Sequence, residues 1–468
     1  RMLGGGRVTF AETFTAYDIA MTAAPFSFTT FGRAYTDTHV PLKCEYNGPL
    51  RLQGTTQDLA VTTELRGPSG MLAYDGRVDG DSLGGYGVQG TLRFEGLDLR
   101  TLLDTVVTPP TALSGTVELD VVGDSLPNLA GSALLRLERS RVDGNLIYDA
   151  YARARFADGR ARIDTASMLS VAGTATARGA LGLSAAVRDT LGLTVEIDSL
   201  GGLRRYLSSA SPGDTVPLTG RVQAGLSLIG SLATLGVSGW VDGRELVISN
   251  LRVRHLRVMP DFADVNGAIG GSASLQADTL DVAGVRVDML RGNLSLSEGR
   301  TGQFSFIATA ANGPVLQSSG DLRFFGDTTG ILVDSLSLMF EDHQFALERP
   351  TTVRVEPGRM TIDSVVLTGP GAQRLAFAAD LPDAAPMRAR LGVTALPLGD
   401  LAQVMQWPVP LGGELTASLD VAGTREAPVM RGMATVNGVS VGGVTVTRVS
   451  MDAGYAGHRV TGTAAVTQ

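Results

Sequence analysis

The chain has 468 residues, a net charge of −8 and a composition that is 44% hydrophobic but only 6% aromatic and 18% charged. This apolar content excludes a disordered chain, and the acidic balance disfavours a nucleic-acid partner, because phosphate contacts need a basic face. The single cysteine, Cys44, excludes a disulfide framework and a cysteine-based metal site. No window of about eighteen apolar residues is free of charge, so the sequence predicts no membrane-spanning helix.

The chain opens with alternating apolar and polar residues, which predict half-buried strands at 7–14, 26–31, 50–53 and 60–65. A Leu-rich helical turn is predicted to end this first unit, and Pro109 and Pro110 then lead into the next one. Further alternating stretches continue to the last residue. We place the units at 1–107, 108–210, 211–407 (a unit of double length) and 408–468.

Two phrases recur along the chain. One opens each later unit with Leu-x-Gly followed by strict alternation and a Gly-containing turn, at 113–131, 218–239 and 411–432. We call this pattern the opener. The other pattern, the closing phrase, is an alternating strand that runs into a Leu-rich helical turn, and it precedes each opener at 92–103, 193–207 and 391–405. Repetition on this scale predicts a modular, elongated β architecture.

Strands joined in sequence order by short Gly, Asp and Asn turns predict an all-β fold, an elongated and repetitive antiparallel sheet of about forty strands with short helical turns between units. Alternation gives this sheet one apolar and one polar face. Such a sheet must close on itself, pair with a second sheet, dimerise or leave a trough that something apolar fills.

The three openers, their closing turns and the run 351–380 resemble the AsmA-like superfamily, and within it the TamB family of the translocation and assembly module. The resemblance implies a sheet folded lengthwise into a taco-like hydrophobic groove in the periplasm. It further implies a non-enzymatic conduit that moves phospholipids between the inner and outer membranes and supports outer-membrane biogenesis. The expected partners are phospholipid acyl chains, an outer-membrane β-barrel partner of the translocation and assembly module type, and the inner membrane, reached through an anchor outside this sequence.

Rows of small aliphatic side chains on the alternating strands are the candidate lining of that groove. Sparse aromatic residues favour a smooth, hydrocarbon-like trough, although the same rows would be ordinary core in a β-sandwich. The candidate lining residues are Val117, Leu119, Val121, Leu135, Leu137, Leu193, Val195, Ile197, Val222, Leu226, Leu228, Phe304, Phe306, Leu336, Leu338, Phe340, Leu375, Phe377, Leu415, Leu419 and Val421.

No residue pattern predicts catalysis, a cofactor or a metal. Residues 80–84 match a nucleophile elbow and residues 85–90 a dinucleotide fingerprint, but strands rather than helices are predicted after both. The four histidines, His39, His255, His343 and His458, lack metal-ligand spacing and are interpreted as solvated strand-face residues. Two alternatives to the conduit stay open: a scaffold or chaperone that offers strand edges to outer-membrane β-proteins, and an extracellular β-solenoid adhesin.

Overall fold

The computed structural model confirms the all-β prediction. It describes residues 2–12, 14–27, 44–80, 85–103, 109–203, 217–248, 251–282, 285–310, 313–340, 343–383, 385–405, 407, 409–424 and 426–468. Of the described residues, 78% lie in strands and 4% in helices. The thirty strands belong to one antiparallel sheet.

The contacts divide the chain into two units, Arg1–Val241 and Asp242–Gln468. The strands of the first unit are β1 Met2–Phe10, β2 Thr15–Ser27, β3 Glu45–Thr55, β4 Asp58–Gly67, β5 Gly70–Asp79, β6 Tyr86–Leu97, β7 Thr111–Gly123, β8 Ala130–Leu137, β9 Ser140–Val142, β10 Asn145–Ala157, β11 Arg160–Ser170, β12 Gly173–Gly182, β13 Asp189–Ile197 and β14 Leu218–Gly230.

Strand β15, Leu235–Ile248, carries the chain into the second unit. The strands that follow are β16 Leu251–Ala263, β17 Gly270–Val282, β18 Val285–Ser297, β19 Thr301–Ala310, β20 Val315–Phe325, β21 Thr328–Met339, β22 Gln344–Leu347, β23 Thr351–Glu356, β24 Arg359–Thr368, β25 Arg374–Pro382, β26 Met387–Pro397, β27 Leu411–Gly423, β28 Pro428–Val441, β29 Val444–Ala456 and β30 Arg459–Thr467.

Within each unit the strands form an antiparallel meander, as predicted. Two places depart from pairing in sequence order. Strands β8 and β9 both pair with β7 and with β10, and strands β22 and β23 both pair with β21 and with β24. The described residues hold thirty strands rather than about forty because many are 13 or 14 residues long. The strand predicted at 7–14 is wrong at its end, since the turn between β1 and β2 falls there.

Four helical segments lie in the described part of the chain. Two are α-helical turns at Leu99–Leu102 and Leu398–Val404, and two are 3-10 turns at Leu126–Asn128 and Leu200–Leu203. Three of the four fall on the predicted closing phrases. Residues 204–207 of the middle closing phrase lie outside the described residues, and so does the Ser-Pro-Gly-Asp stretch at 211–214, which the sequence predicts as the linker that opens the unit 211–407.

The first and last closing phrases share one local geometry. Each phrase has a bulge at its fifth residue, Gly96 with φ 62° and Ala395 with φ 52°, and the helical turn begins three residues later. The backbone N–H of each bulge residue donates to a hydroxyl on the next strand: Gly96 to Ser114 Oγ at 3.1 Å, and Ala395 to Thr416 Oγ1 at 3.3 Å. The sequence repeat is therefore a repeat of hydrogen bonding.

Glycines inside strands let neighbouring strands approach closely. Gly131 in β8 has φ 121°, and a Cβ there would lie 2.0 Å from the carbonyl oxygen of Asp120 in β7. An L side chain fits neither that conformation nor that space.

Candidate functional site

The candidate site is the apolar face of the sheet, which each unit carries as unbroken cross-strand rows. Paired residues of an antiparallel ladder point to the same face. In the second unit the pairings join one apolar residue or glycine from each of fourteen strands: Phe262, Gly271, Leu296, Gly302, Leu322, Ile331, Val353, Ile362, Ala379, Ala389, Val421, Met430, Tyr455 and Val460.

The first unit carries an equivalent row, in which Thr63 adds a hydroxyl beside its methyl group. Tyr74 in this row places its hydroxyl beside the glycine pair Gly76 and Gly90, where its one O–H is shared between the carbonyl oxygens of Arg77 and Gln89. The row comprises Gly4, Met21, Leu50, Thr63, Tyr74, Leu92, Val117, Leu135, Ala152, Ala166, Ala177, Leu193 and Leu226.

The opposite face is polar and carries cross-strand ion pairs. Arg359 Nη2 lies 2.8 Å from Asp380 Oδ2 across β24 and β25, and the hydrogen bond from Arg359 lowers the pKa of Asp380. Arg390 and Asp420 pair at 3.1 Å across β26 and β27. Exposed pairs of this kind contribute little stability. Their main effect is to keep this face hydrated and to favour the observed pairing register of the strands.

Each α-helical turn packs onto the apolar face at one end of the strands. In the first unit Leu102 joins a buried cluster with Cys44, Tyr46, Leu65, Phe94 and Leu97. Asp98 caps the turn, since its carboxylate accepts from the Thr101 hydroxyl at 2.6 Å and from the backbone N–H of Arg100 and Thr111 at 3.1 Å. The Thr101 hydrogen bond is the main reason that the pKa of Asp98 lies below its usual value.

The second unit has a matching cluster around Phe345, Val393 and Leu396, with Leu401 of the helical turn packed against them. We call each helical turn, together with the cluster that it covers, a plug. His343 ties the turn to the sheet: its Nε2 lies 2.8 Å from Asp400 Oδ2, and its ring stacks on Phe340. His343 is thus a packed histidine rather than the solvated one that the sequence suggested. Glu341 and Asp342, which directly precede His343, lie outside the described residues.

Away from the plug the apolar face is uncovered. Val393 in β26 is 8% exposed, whereas Leu391, two residues along the same strand and on the same face, is 40% exposed. Phe377, which pairs with Leu391, is 37% exposed. A side chain in a closed sandwich core would not keep so much contact with solvent, so no second layer formed by the described residues covers this part of the face.

The total surface area leads to the same result. The chain exposes 27235 Å² at a mass of 48.8 kDa. A compact monomer of this mass exposes about 17,000 Å², and two compact units of half the mass together about 20,000 Å². The chain exposes more than either figure, which agrees with a sheet that has one unfilled face.

The candidate lining residues all fall on this one face within their unit, apart from Phe340, which follows β21 and packs on the plug. The structure separates them into two groups. Those that pack against the helical-turn clusters are Val117, Leu135, Leu137, Leu338, Phe340, Leu375 and Leu415. The remainder lie on the face beyond those clusters.

The sequence motifs for other chemistry receive these positions. Residues 81–84 of the elbow-like match and His39 lie outside the described residues, and the fingerprint-like glycines run into strand β6 instead of a helix. Among the described residues no group of three His, Cys, Asp or Glu side chains is placed to hold a metal ion. Within the same residues, no helix has the length and apolarity needed to cross a membrane.

The chain was compared with known proteins. No family model matches it, and no curated protein matches it.

Proposed function

We propose that the chain is a non-enzymatic, groove-like lipid conduit that carries phospholipid acyl chains along its apolar face. The single observation that supports this proposal is the pair of apolar cross-strand rows, thirteen and fourteen strands long, on a face that stays open to solvent at residues such as Leu391 and Phe377. A periplasmic location between the inner and outer membranes, and partners in both membranes, are part of the same proposal and rest on the resemblance to the AsmA-like superfamily.

The side chains along these rows suit acyl chains bound without headgroup recognition. Most are Val, Leu, Ala or Gly, so they offer apolar contact but few hydrogen-bonding groups. Affinity then comes from apolar burial, at about 0.8 kcal/mol for each methylene group removed from water. Because every strand offers a similar surface, a chain can move from one row to the next with little change in free energy.

The helical-turn plugs give the proposed path a direction across the strands. Each plug covers the apolar face near one end of its strands and leaves pairs such as Phe377 and Leu391 open. Acyl chains are therefore expected beside Leu419, which pairs with Leu391, rather than beside Leu415, which packs against the plug.

The test places charge on the path. Leu119→Glu, Leu226→Glu and Leu419→Glu together put a carboxylate on the apolar face of β7, β14 and β27. The matched control carries Thr116→Glu, Gln223→Glu and Ser418→Glu, which put the same charges on the polar face of the same strands.

Transfer of fluorescent phosphatidylethanolamine between vesicles of phosphatidylethanolamine and phosphatidylglycerol is the first readout, and lipid retained in native mass spectrometry is the second. We expect the apolar-face variant to lose most transfer and most bound lipid, while the control keeps both. Unchanged transfer by a folded apolar-face variant would show that this face is not the route.

A further inference from the structure

A histidine sits between two carboxylates on the polar face of the second unit. His255 Nε2 in β16 lies 2.7 Å from Asp242 Oδ2 in β15, and His255 Nδ1 lies 3.3 Å from Asp278 Oδ2 in β17. Asp242 is itself held by Arg244, whose Nε donates to Oδ1 at 3.2 Å. One side chain thus connects three strands.

This arrangement fixes the protonation state of the ring. A carboxylate can only accept, and a neutral imidazole has one nitrogen that can only accept as well. With a carboxylate oxygen at each nitrogen, both contacts are hydrogen bonds only when both nitrogens carry a proton. The two carboxylates lie on opposite sides of the ring, so they do not converge on one metal ion.

The contact lies where the strand ladder is interrupted. In β17 Thr279 adopts φ 51°, and the β16–β17 register has no pair for Arg254 or Thr279, directly before His255 pairs with Asp278. Glu245 in β15 adopts a similar conformation, φ 49°. The three-strand contact supplies charge-assisted hydrogen bonds at the point where the ladder lacks a pair.

The packing around this contact is tight. Four apolar side chains near it are among the most buried of the unit: Leu246, Val253, Ala277 and Leu280. Apolar packing and the histidine contact therefore both hold this region together.

We propose that the His255 imidazolium is a pH-sensitive clasp that holds β15, β16 and β17 together where the β16–β17 ladder is interrupted, and that it loosens when the ring loses a proton. The charged groups around it come from each neighbouring strand: Asp242 and Arg244 from β15, Arg254 and Arg257 from β16 itself, and Asp278 from β17. Beyond Asp278 the next strand presents Met289, which does not titrate.

The direction of the pH effect follows from the same contacts. The hydrogen bonds to Asp242 and then to Asp278 raise the pKa of His255, and partial burial opposes them. The folded-state pKa thus lies above the unfolded value of about 6.5. The stabilisation is complete below that unfolded value and is lost as the pH rises through the folded-state value.

Two measurements on lipid-free protein test the clasp, so its outcome does not depend on the proposed conduit. Long-range ¹H–¹⁵N correlation spectra of histidine-labelled protein, assigned with His255→Gln, should show both ring nitrogens protonated at pH 6 and a titration midpoint above the unfolded value of about 6.5. Asp278→Asn should lower the titration midpoint. A His255 that titrates at or below about 6.5 overturns the proposal.

Hydrogen exchange reports the loosening itself. After correction for the chemical exchange rate, peptides of β16 and β17 should exchange about fivefold faster at pH 9 than at pH 6, the factor that corresponds to about 1 kcal/mol. His255→Gln should exchange at the faster rate at both pH values, while His458→Gln, an exposed turn position, should behave as the unaltered protein. Equal exchange at both pH values in the unaltered protein would show that the contact holds nothing.

Discussion

Phe345 and Phe377 lie on the apolar face of the second unit, but only Phe345 is closed off from solvent. Phe345 is 0% exposed, inside the helical-turn cluster, and Phe377 is 37% exposed. Phe345→Ala removes a fully buried ring and leaves a cavity, which costs about 3–5 kcal/mol. Phe377→Ala loses only the part of the ring that is buried, about 1–2 kcal/mol, because full burial contributes about 1.5–3 kcal/mol and no closed cavity forms.

Urea denaturation of the lipid-free chain measures both costs. The chain has two tryptophans. The backbone N–H of Trp407 donates to the Ala402 carbonyl of the helical turn, so Trp407 reports on this part of the second unit. Trp240→Phe as a common background removes the signal of the first unit. We expect Phe345→Ala to lose about 2 kcal/mol more than Phe377→Ala. Equal losses of 3–5 kcal/mol would mean that Phe377 is packed in a closed core, and the unfilled face would have to be abandoned.

Two further substitutions test the local geometry that supports this face. Asp98→Ala removes the cap of the first helical turn and should cost about 1 kcal/mol by urea denaturation. Because the pKa of Asp98 is lowered in the folded state, that stabilisation is present above its unfolded value of about 3.9, and the difference from the unaltered protein should shrink as the pH falls below it; a constant difference would contradict the capping role. Gly131→Ala should cost more than about 1 kcal/mol, because its backbone conformation and the Asp120 carbonyl both exclude a Cβ. Gly432 lies on the apolar face of β28 and has room for a methyl group, so Gly432→Ala should lose no stability. Equal losses at Gly131 and Gly432 would refute the steric argument.

The alternation of residue types was sufficient to predict the fold class. In β27 the apolar residues Leu415, Leu419 and Val421 alternate with exposed Glu414 and Asp420, and the register keeps all three apolar residues on one face. The period of two decides which side chains share a face before any partner strand is known. The same signal therefore placed the candidate lining residues of separate strands on a common face.

Features that depend on register were not predictable. The bulge at Gly96 has a glycine to mark it, but the equivalent bulge is at Ala395, a residue type that gives no sign of a positive φ. The sequence predicts a solvated His255 because no histidine has a partner at metal-ligand spacing. Its two carboxylate partners, Asp242 and Asp278, lie 13 and 23 positions away. Only the pairing of three strands brings them together, and alternation contains no information on which residues pair.

The meander explains how a sheet can be stable while one face stays unfilled. Each strand hydrogen-bonds to its sequence neighbours, so the ladder is built from local contacts and needs no closure between distant strands. The ion pairs of the polar face, such as Arg359 with Asp380, also join neighbouring strands and leave the apolar face untouched. An apolar face that is not required to close the fold can exchange a bound acyl chain for another without unfolding, which a β-sandwich core cannot do.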